Sequence, residues 1–268
     1  MNSITNALKG IAEHPGARGV LVEITATDGS TPRCRGAQML LGPDGNFSGT
    51  VGGGGLEYHA EEEARRVMET GVPSQKRYSL GNAPGEATGA ICGGTVTVDF
   101  TPIGPEEARR LLRDAPRPPR VLLYGAGHVG KALADALHLL GMDAVVTDER
   151  AELLTEERFP HAERRVLPEA EAPVDACPED MVAIMTHNHA NDYTLTLRAL
   201  RSPARYVGLI GSRKKVALFR ARLEADGIDP AELDARLHSP IGLPIGAETP
   251  EEIAVSIAAE LIRFLHET

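Results

Sequence analysis

The chain has 268 residues, enough for two domains of ordinary size, each with its own core. Its 42% hydrophobic and 25% charged content is that of a globular protein, and with 4% aromatics and no Trp the cores are expected to be aliphatic. A net charge of −10 repels a phosphate backbone and argues against nucleic-acid binding, and no apolar run approaches the ~20 residues of a membrane span.

The amino-terminal segment 2–13 places Ile4, Leu8 and Ile11 on one helical face, and Pro15 and Gly16 end it. The β-branched run 19–24 predicts a strand. A polar loop follows at 27–33, then a strand at 38–41, a turn at 43–45 and a glycine-rich stretch at 50–55 that leads into a helix from Leu56 to about Glu69. Residues 79–89 carry several Gly and Pro, 95–100 alternate as a half-buried strand does, and 106–112 form a short helix. Three prolines within 116–119 suit an extended linker, so the expected domains are 1–115 and 120–268. The acidity is uneven: residues 1–118 hold 12 Lys+Arg against 14 Asp+Glu (−2), and the remainder 16 against 24 (−8).

Beyond the linker, a buried strand at 121–124, a loop at 125–130, a helix from Lys131 to Leu140 and a strand at 143–148 make one β-α-β unit with parallel strands. Further buried strands at 181–185 and 206–210, each followed by a polar loop and a helix, predict a doubly wound parallel sheet. The last helix, about 251–266, is apolar along one side and is expected to pack back on the sheet. Thr249, Pro250 and Glu252 mark its start. Cys34, Cys92 and Cys177 form no CxxC pair. Reduced thiols and the lack of a leader-like amino terminus suit a cytoplasmic protein.

Four segments of the second half carry chemistry. Gly125-x-Gly127-x-x-Gly130 lies between a strand and a helix, where backbone N–H groups and the helix dipole favour a phosphate. Asp148, at the end of the next strand, is placed to accept from a ribose hydroxyl, and His128 inside the loop faces either a ligand or solvent. His187, Asn188, His189 and Asp192 follow a buried strand. They suit hydrogen bonding to a ligand, metal ligation, or helix capping by Asn188 or Asp192. Ser212 and Arg213 open a helix with three consecutive cations that oppose the macrodipole, as an anion at that end would favour. The fourth is the fixed, apolar Gly/Pro loop at 239–248, which suits a site wall.

In the first half, Ser30 and Arg33 suit an anion, and the glycine run that includes Gly53 and Gly54, followed by Glu57, is a second candidate anion nest. Cys92, before Gly93 and Gly94, offers a thiolate as a soft ligand for a metal or a sulfur carrier, or is a small buried hydrophobe. Cys34 and Cys177 lack such settings and are read as structural.

Taken together, GSTPRCRGAQM (29–39), GTVGGGGLE (49–57), CGG (92–94), GAGHVG (125–130), THNHAND (186–192), YVGLIGSRKK (206–215) and SPIGLPIGAETPEEIAVSIAAEL (239–261) resemble the xanthine dehydrogenase accessory protein family, XdhC/CoxI-like. The resemblance implies an α/β chain with an amino-terminal mixed α/β XdhC/CoxI domain and a carboxy-terminal Rossmann domain, often dimeric. It implies a chaperone rather than an enzyme. Such a chaperone binds the molybdenum cofactor (molybdopterin, without a nucleotide or in its cytosine-dinucleotide form) and holds it while a cysteine desulfurase's sulfur is installed. It then delivers the cofactor to a xanthine dehydrogenase or related molybdenum hydroxylase. On this basis the cofactor is expected between the domains, with its phosphate toward Gly125–Gly130 and Cys92 near molybdenum. Two other readings stay open: an NAD(P)-dependent oxidoreductase, supported by the glycine loop and Asp148, and a metal-dependent hydrolase using His187, His189 and Asp192.

Overall fold

A computed structural model describes residues 3–80, 93–115, 117–168 and 171–267. The chain divides into two compact units, Met1–Pro116 and Arg117–Thr268.

The first unit runs α1 (Ser3–Glu13), β1 (Gly19–Asp28), β2 (Gln38–Leu41), β3 (Phe47–Gly49), α2 (Gly54–Thr70), β4 (Ser74–Ser79), β5 (Thr95–Ile103) and α3 (Pro105–Asp114). Its five strands form an antiparallel sheet in the order β3-β2-β1-β5-β4. Alternation in β1 sends Val20, Val22 and Ile24 to one face, where they meet Leu56, Ala60, Ala64 and Val67 of α2. Leu21 points to the other face, against Leu8 and Ile11 of α1 and Ala108 of α3. Each of these side chains is buried, at about 1.5–3 kcal/mol for a full-sized aliphatic.

The second unit runs β6 (Arg120–Tyr124), α4 (His128–Leu139), β7 (Asp143–Asp148), a 3₁₀ turn at Ala151–Leu153, β8 (Glu163–Val166), β9 (Met181–Ile184), α5 (His189–Arg201), β10 (Tyr206–Leu209), α6 (Arg213–Ala225), α7 (Pro230–Arg236), β11 (Leu237–His238) and α8 (Pro250–Glu267). Every strand pair is parallel, in the order β8-β7-β6-β9-β10-β11. The doubly wound Rossmann architecture expected from the sequence is therefore present. Val121 and Leu123 pack on α4 and α8, whereas Leu122 and Tyr124 face α5, α6 and α7. As expected, α8 lies back on the sheet, with Ala254, Ile257, Ala258 and Leu261 in the same core as Leu133 and Leu137 of α4.

The strand order fixes where a ligand goes. The chain winds outward from β6 through β7 to β8, then returns to β9 on the other side of β6. The connections after β6 and β9 therefore diverge, and leave a crevice at the carboxyl ends of those two strands.

Strands β3, β4, β8 and β11 escape the sequence pattern, and α2 begins at Gly54 rather than Leu56. Cys34 and Cys177, read as structural residues, are both exposed; the Cys177 N–H donates to Asp180 at 2.6 Å and its Sγ lies 3.9 Å from Arg120 Nη2. No helix among the described residues is long and apolar enough to cross a membrane.

Candidate functional site

The crevice is framed by the loop after β6. Gly125 (φ +116°) and Gly130 are glycines because the backbone leaves no room. A Cβ on Gly125 would lie 2.3 Å from the Met185 carbonyl oxygen, and one on Gly130 would lie 2.0 Å from that of Gly125. Gly127 differs: nothing lies within 4 Å of a Cβ built there, so the middle glycine faces open space. It is also the N-cap of α4, with no side-chain cap, so the first-turn N–H groups await an acceptor from outside the helix.

Asp148 does not play the part its position suggests. It is fully buried. Its Oδ2 accepts from Ala126 N–H and Arg150 Nη2, both at 2.7 Å, and its Oδ1 accepts from Arg150 N–H at 2.9 Å and Arg150 Nε at 2.8 Å. Four donors fill the roughly four lone-pair sites of a carboxylate. A ribose hydroxyl would have to displace one of them. Burial pushes this carboxyl up, but the Arg150 guanidinium and the two backbone N–H groups outweigh it and hold the pKa below the ordinary value. Arg150 was not singled out from the sequence. An arginine two residues after a strand-end acid is the signal that could have found it.

On the opposite side of the loop, Arg158 Nη2 donates to the carbonyls of Ala126 (3.1 Å) and Gly127 (3.4 Å). In a trans peptide the N–H points opposite to the C=O. The N–H groups of Gly127 and His128 therefore point away from Arg158. His128 itself is exposed and lines a cleft with Lys131, Arg158 and Glu251, beside α4 and α8.

The loop after β9 is organised internally. Asn188 caps α5 by accepting from Ala190 N–H at 2.8 Å. Asp192, 1% exposed, accepts from Thr186 N–H (3.1 Å) and Thr186 Oγ1 (2.7 Å) through one oxygen and from Lys215 Nζ through the other. His189 lies 3.7 Å from Asp192 but is 86% exposed, and His187 lies 3.5 Å from Glu149, which follows β7. Among the described residues, no three His, Cys, Asp or Glu side chains are arranged to hold a metal ion. The hydrolase reading thus lacks a ligand set there, because Asp192 is committed to Thr186 and Lys215.

Lys215 corrects a second expectation. One of the three cations opening α6 turns inward to Asp192 and to the Ile210 carbonyl (3.1 Å), so a carboxylate of the chain itself supplies part of the anion inferred there. Ser212 is the N-cap, accepting from Lys215 N–H at 3.3 Å, and Arg213 is exposed.

In the first unit the glycine-rich segments converge. A Cβ on Gly94 would lie 2.4 Å from the Ser30 carbonyl oxygen, one on Gly29 would lie 3.2 Å from Gly94 Cα, and one on Gly52 would lie 3.0 Å from Pro32. Gly93 is paired with Leu80 through its N–H at 3.3 Å. Ser30 and Arg33 are exposed beside this junction. The candidate nest at Gly53 and Gly54 already holds an anion: the Glu57 carboxylate accepts from Gly53 N–H at 3.1 Å and from the Thr50 hydroxyl. Cys92 lies outside the described residues.

A family model described as "XdhC Rossmann domain" matches residues 121–261, and one described as "XdhC and CoxI family" matches residues 12–79. Over 98% of its length the chain is 36% identical to "Uncharacterized protein YqeB" of Escherichia coli (strain K12), covering 46% of that protein. It is 34% identical to a probable xanthine dehydrogenase component of Bacillus subtilis (strain 168), over 54% of this chain and 42% of that one. The chain thus spans less than half the length of these two relatives. "Molybdenum cofactor insertion chaperone PaoD" of Escherichia coli (strain K12) is 23% identical over 92% of this chain and 83% of that protein. A crystal structure of a xanthine dehydrogenase from Bacillus halodurans superposes with a TM-score of 0.83 at 24% identity, covering 100% of this chain and 96% of that one, and shares its fold.

Proposed function

The chain belongs to the XdhC and CoxI family, and on that premise we propose that it is an accessory protein for molybdenum hydroxylases. It binds molybdopterin cofactor as cargo, shelters it while the terminal sulfur is installed, and passes it to a xanthine dehydrogenase-type enzyme. The relative named as a molybdenum cofactor insertion chaperone supports this role. A cysteine desulfurase as sulfur donor, a homodimeric state and a contact between the Cys92 thiol and molybdenum belong to the same proposal.

The observation that carries it is the state of Asp148. The crevice keeps a glycine loop open to an anion at Gly127, yet the acid that would hold a ribose diol is saturated by Ala126 and Arg150. That combination suits a phosphorylated pterin better than NAD. The chain's own part is to bind and orient: the loop N–H groups take the phosphate, and the capped loops after β9 and β10 hold the walls. Molybdenum chemistry is supplied by the cargo.

The test is retention of molybdenum cofactor, released from a donor enzyme without oxygen, on the purified protein, with NAD(H) titrated in parallel. Retention of pterin and molybdenum without NAD(H) binding is expected. Tight NAD(H) binding without retention would replace this reading with an oxidoreductase. A Cys92→Ala variant that still delivers sulfurated cofactor would remove the thiol from the proposal.

A further inference from the structure

We propose that the Asp148–Arg150 pair makes the Rossmann crevice selective for a phosphate monoester over a ribose diol. The inference rests on the cofactor-binding reading above and names the chemical group that the site recognises. Two features of the geometry point to it.

The first is the removal of the diol acceptor. A carboxylate at the end of the second strand selects a free 2′-hydroxyl only if a lone pair is available to it. Both oxygens of Asp148 are filled from within the protein, and an internal guanidinium holds them at two points. To accept a hydroxyl, Asp148 would have to give up a charge-assisted bond for a neutral one.

The second is what the pair presents instead. Arg150 Nη2 and Ala126 N–H share the same Asp148 oxygen, so the guanidinium lies beside the glycine loop. One third of the Arg150 side chain remains exposed. Arg158, on the far side of the loop, adds a second guanidinium against its carbonyls, and its Nε is buried without a hydrogen-bond partner among the described residues. The Glu149 and Glu251 carboxylates lie near this end as well, so it is the aim of the donors rather than net charge that favours an anion: the loop N–H groups at Gly127 and His128 are turned away from Arg158. A doubly charged phosphate monoester gains from the planar guanidinium, the backbone N–H groups and the dipole of α4 together. A neutral diol can accept from the same donors, but without charge assistance it gains much less from each.

Molybdopterin carries such a group at its terminus, and so does NADP at its 2′ position. Fluorescence anisotropy can separate these sources. The probes are the fluorescent pterin obtained by oxidising molybdopterin, which keeps the phosphate, and the same pterin after phosphatase treatment. NADPH and NADH are titrated separately. The expected result is roughly tenfold tighter binding of the phosphorylated pterin by the unaltered protein. That preference should collapse in Arg150→Gln, and also in the double variant Asp148→Asn with Arg150→Gln, which leaves no unpaired buried charge. Equal binding of the two pterins would overturn the inference while leaving cofactor binding intact. A preference that survives both variants would overturn the assignment to this pair. If neither pterin binds, a roughly tenfold preference for NADPH over NADH that Arg150→Gln removes would uphold phosphate selection and sink the cofactor reading. No preference in either comparison would sink both.

Discussion

Asp192 and Lys215 form a buried ion pair that joins the connections after two adjacent strands, β9 and β10. Lys215 also donates to the Ile210 carbonyl, and Asp192 also accepts from Thr186, so the pair is stitched into both loops. Removing one partner leaves an uncompensated charge at a site only 1% exposed. Lys215→Met is expected to lower unfolding stability by about 3 kcal/mol in denaturant titrations. The double variant Asp192→Asn with Lys215→Met should recover part of that loss. A Lys215→Met protein as stable as the parent would show that the pair does not hold the loops.

The glycines of the loop after β6 have separable roles, and alanine substitution tells them apart. Gly130→Ala drives a Cβ into the Gly125 carbonyl oxygen, and a loss on the order of 2–4 kcal/mol is expected. Gly127→Ala places its Cβ in open space at φ −66°, so stability should change by less than about 1 kcal/mol. Cofactor binding should nevertheless fall, because the methyl occupies the approach to the loop N–H groups. Thermal unfolding and pterin binding on both variants decide the point. Undiminished binding by Gly127→Ala would contradict the assignment of the phosphate to this loop.

Acid stability follows from carboxylates whose ionised form the fold favours. Burial raises the Asp148, Asp180 and Glu260 carboxyls, but each is brought below its ordinary value, chiefly by hydrogen bonds from Arg150, Arg120 and His238 respectively. In the first unit, hydrogen bonding from Arg66 lowers Glu63 from 4.5 to about 2. A lowered folded-state value means that the stabilisation is whole above the ordinary carboxylate range and is lost as pH falls through the folded value. Urea midpoints should therefore hold from pH 7 to about 5 and decline below about 4. Asp148→Asn should be weaker at pH 7 and decline less steeply. A midpoint unchanged between pH 6 and 3 would contradict this.

Glu57 fills the glycine nest of the first unit, so its removal should loosen that loop. Glu57→Ala strips the acceptor from Gly53 N–H and the Thr50 hydroxyl, and a cost of about 1–2 kcal/mol is expected. Amide exchange at Gly53 should accelerate. Unaltered protection there would mean that Glu57 does not organise the nest.

What the sequence concealed has a common physical origin. Strands β3 and β4 are the two edges of the first sheet, and β8 and β11 the two edges of the second. An edge strand needs no apolar run on both faces and tolerates charge. Glu163-Arg-Arg-Val166 and Ser74-Gln-Lys-Arg-Tyr-Ser79 accordingly carry no strand signal. Central strands such as Val121–Tyr124 and Met181–Ile184 are buried on both sides and announce themselves. The capping box at Thr249 and Glu252 was legible for the same local reason: its partners are three residues apart and bond reciprocally, at 3.2 and 3.1 Å. At the site, the glycine loop and the strand-end acid were visible, but their commitments were not. Asp148 binds Ala126 across 22 residues and Asp192 binds Lys215 across 23, and neither pairing leaves a periodic trace.

The role proposed for this chain is to carry molybdenum cofactor to a hydroxylase. The most direct measurement incubates the cofactor-loaded protein, without oxygen, with a cofactor-free xanthine dehydrogenase-type enzyme and follows the appearance of hydroxylase activity alongside transfer of molybdenum. Activity is expected to rise as molybdenum leaves this protein, and faster than with an equal amount of free cofactor. Activation no faster than free cofactor gives, with molybdenum retained on the chain, would contradict the account.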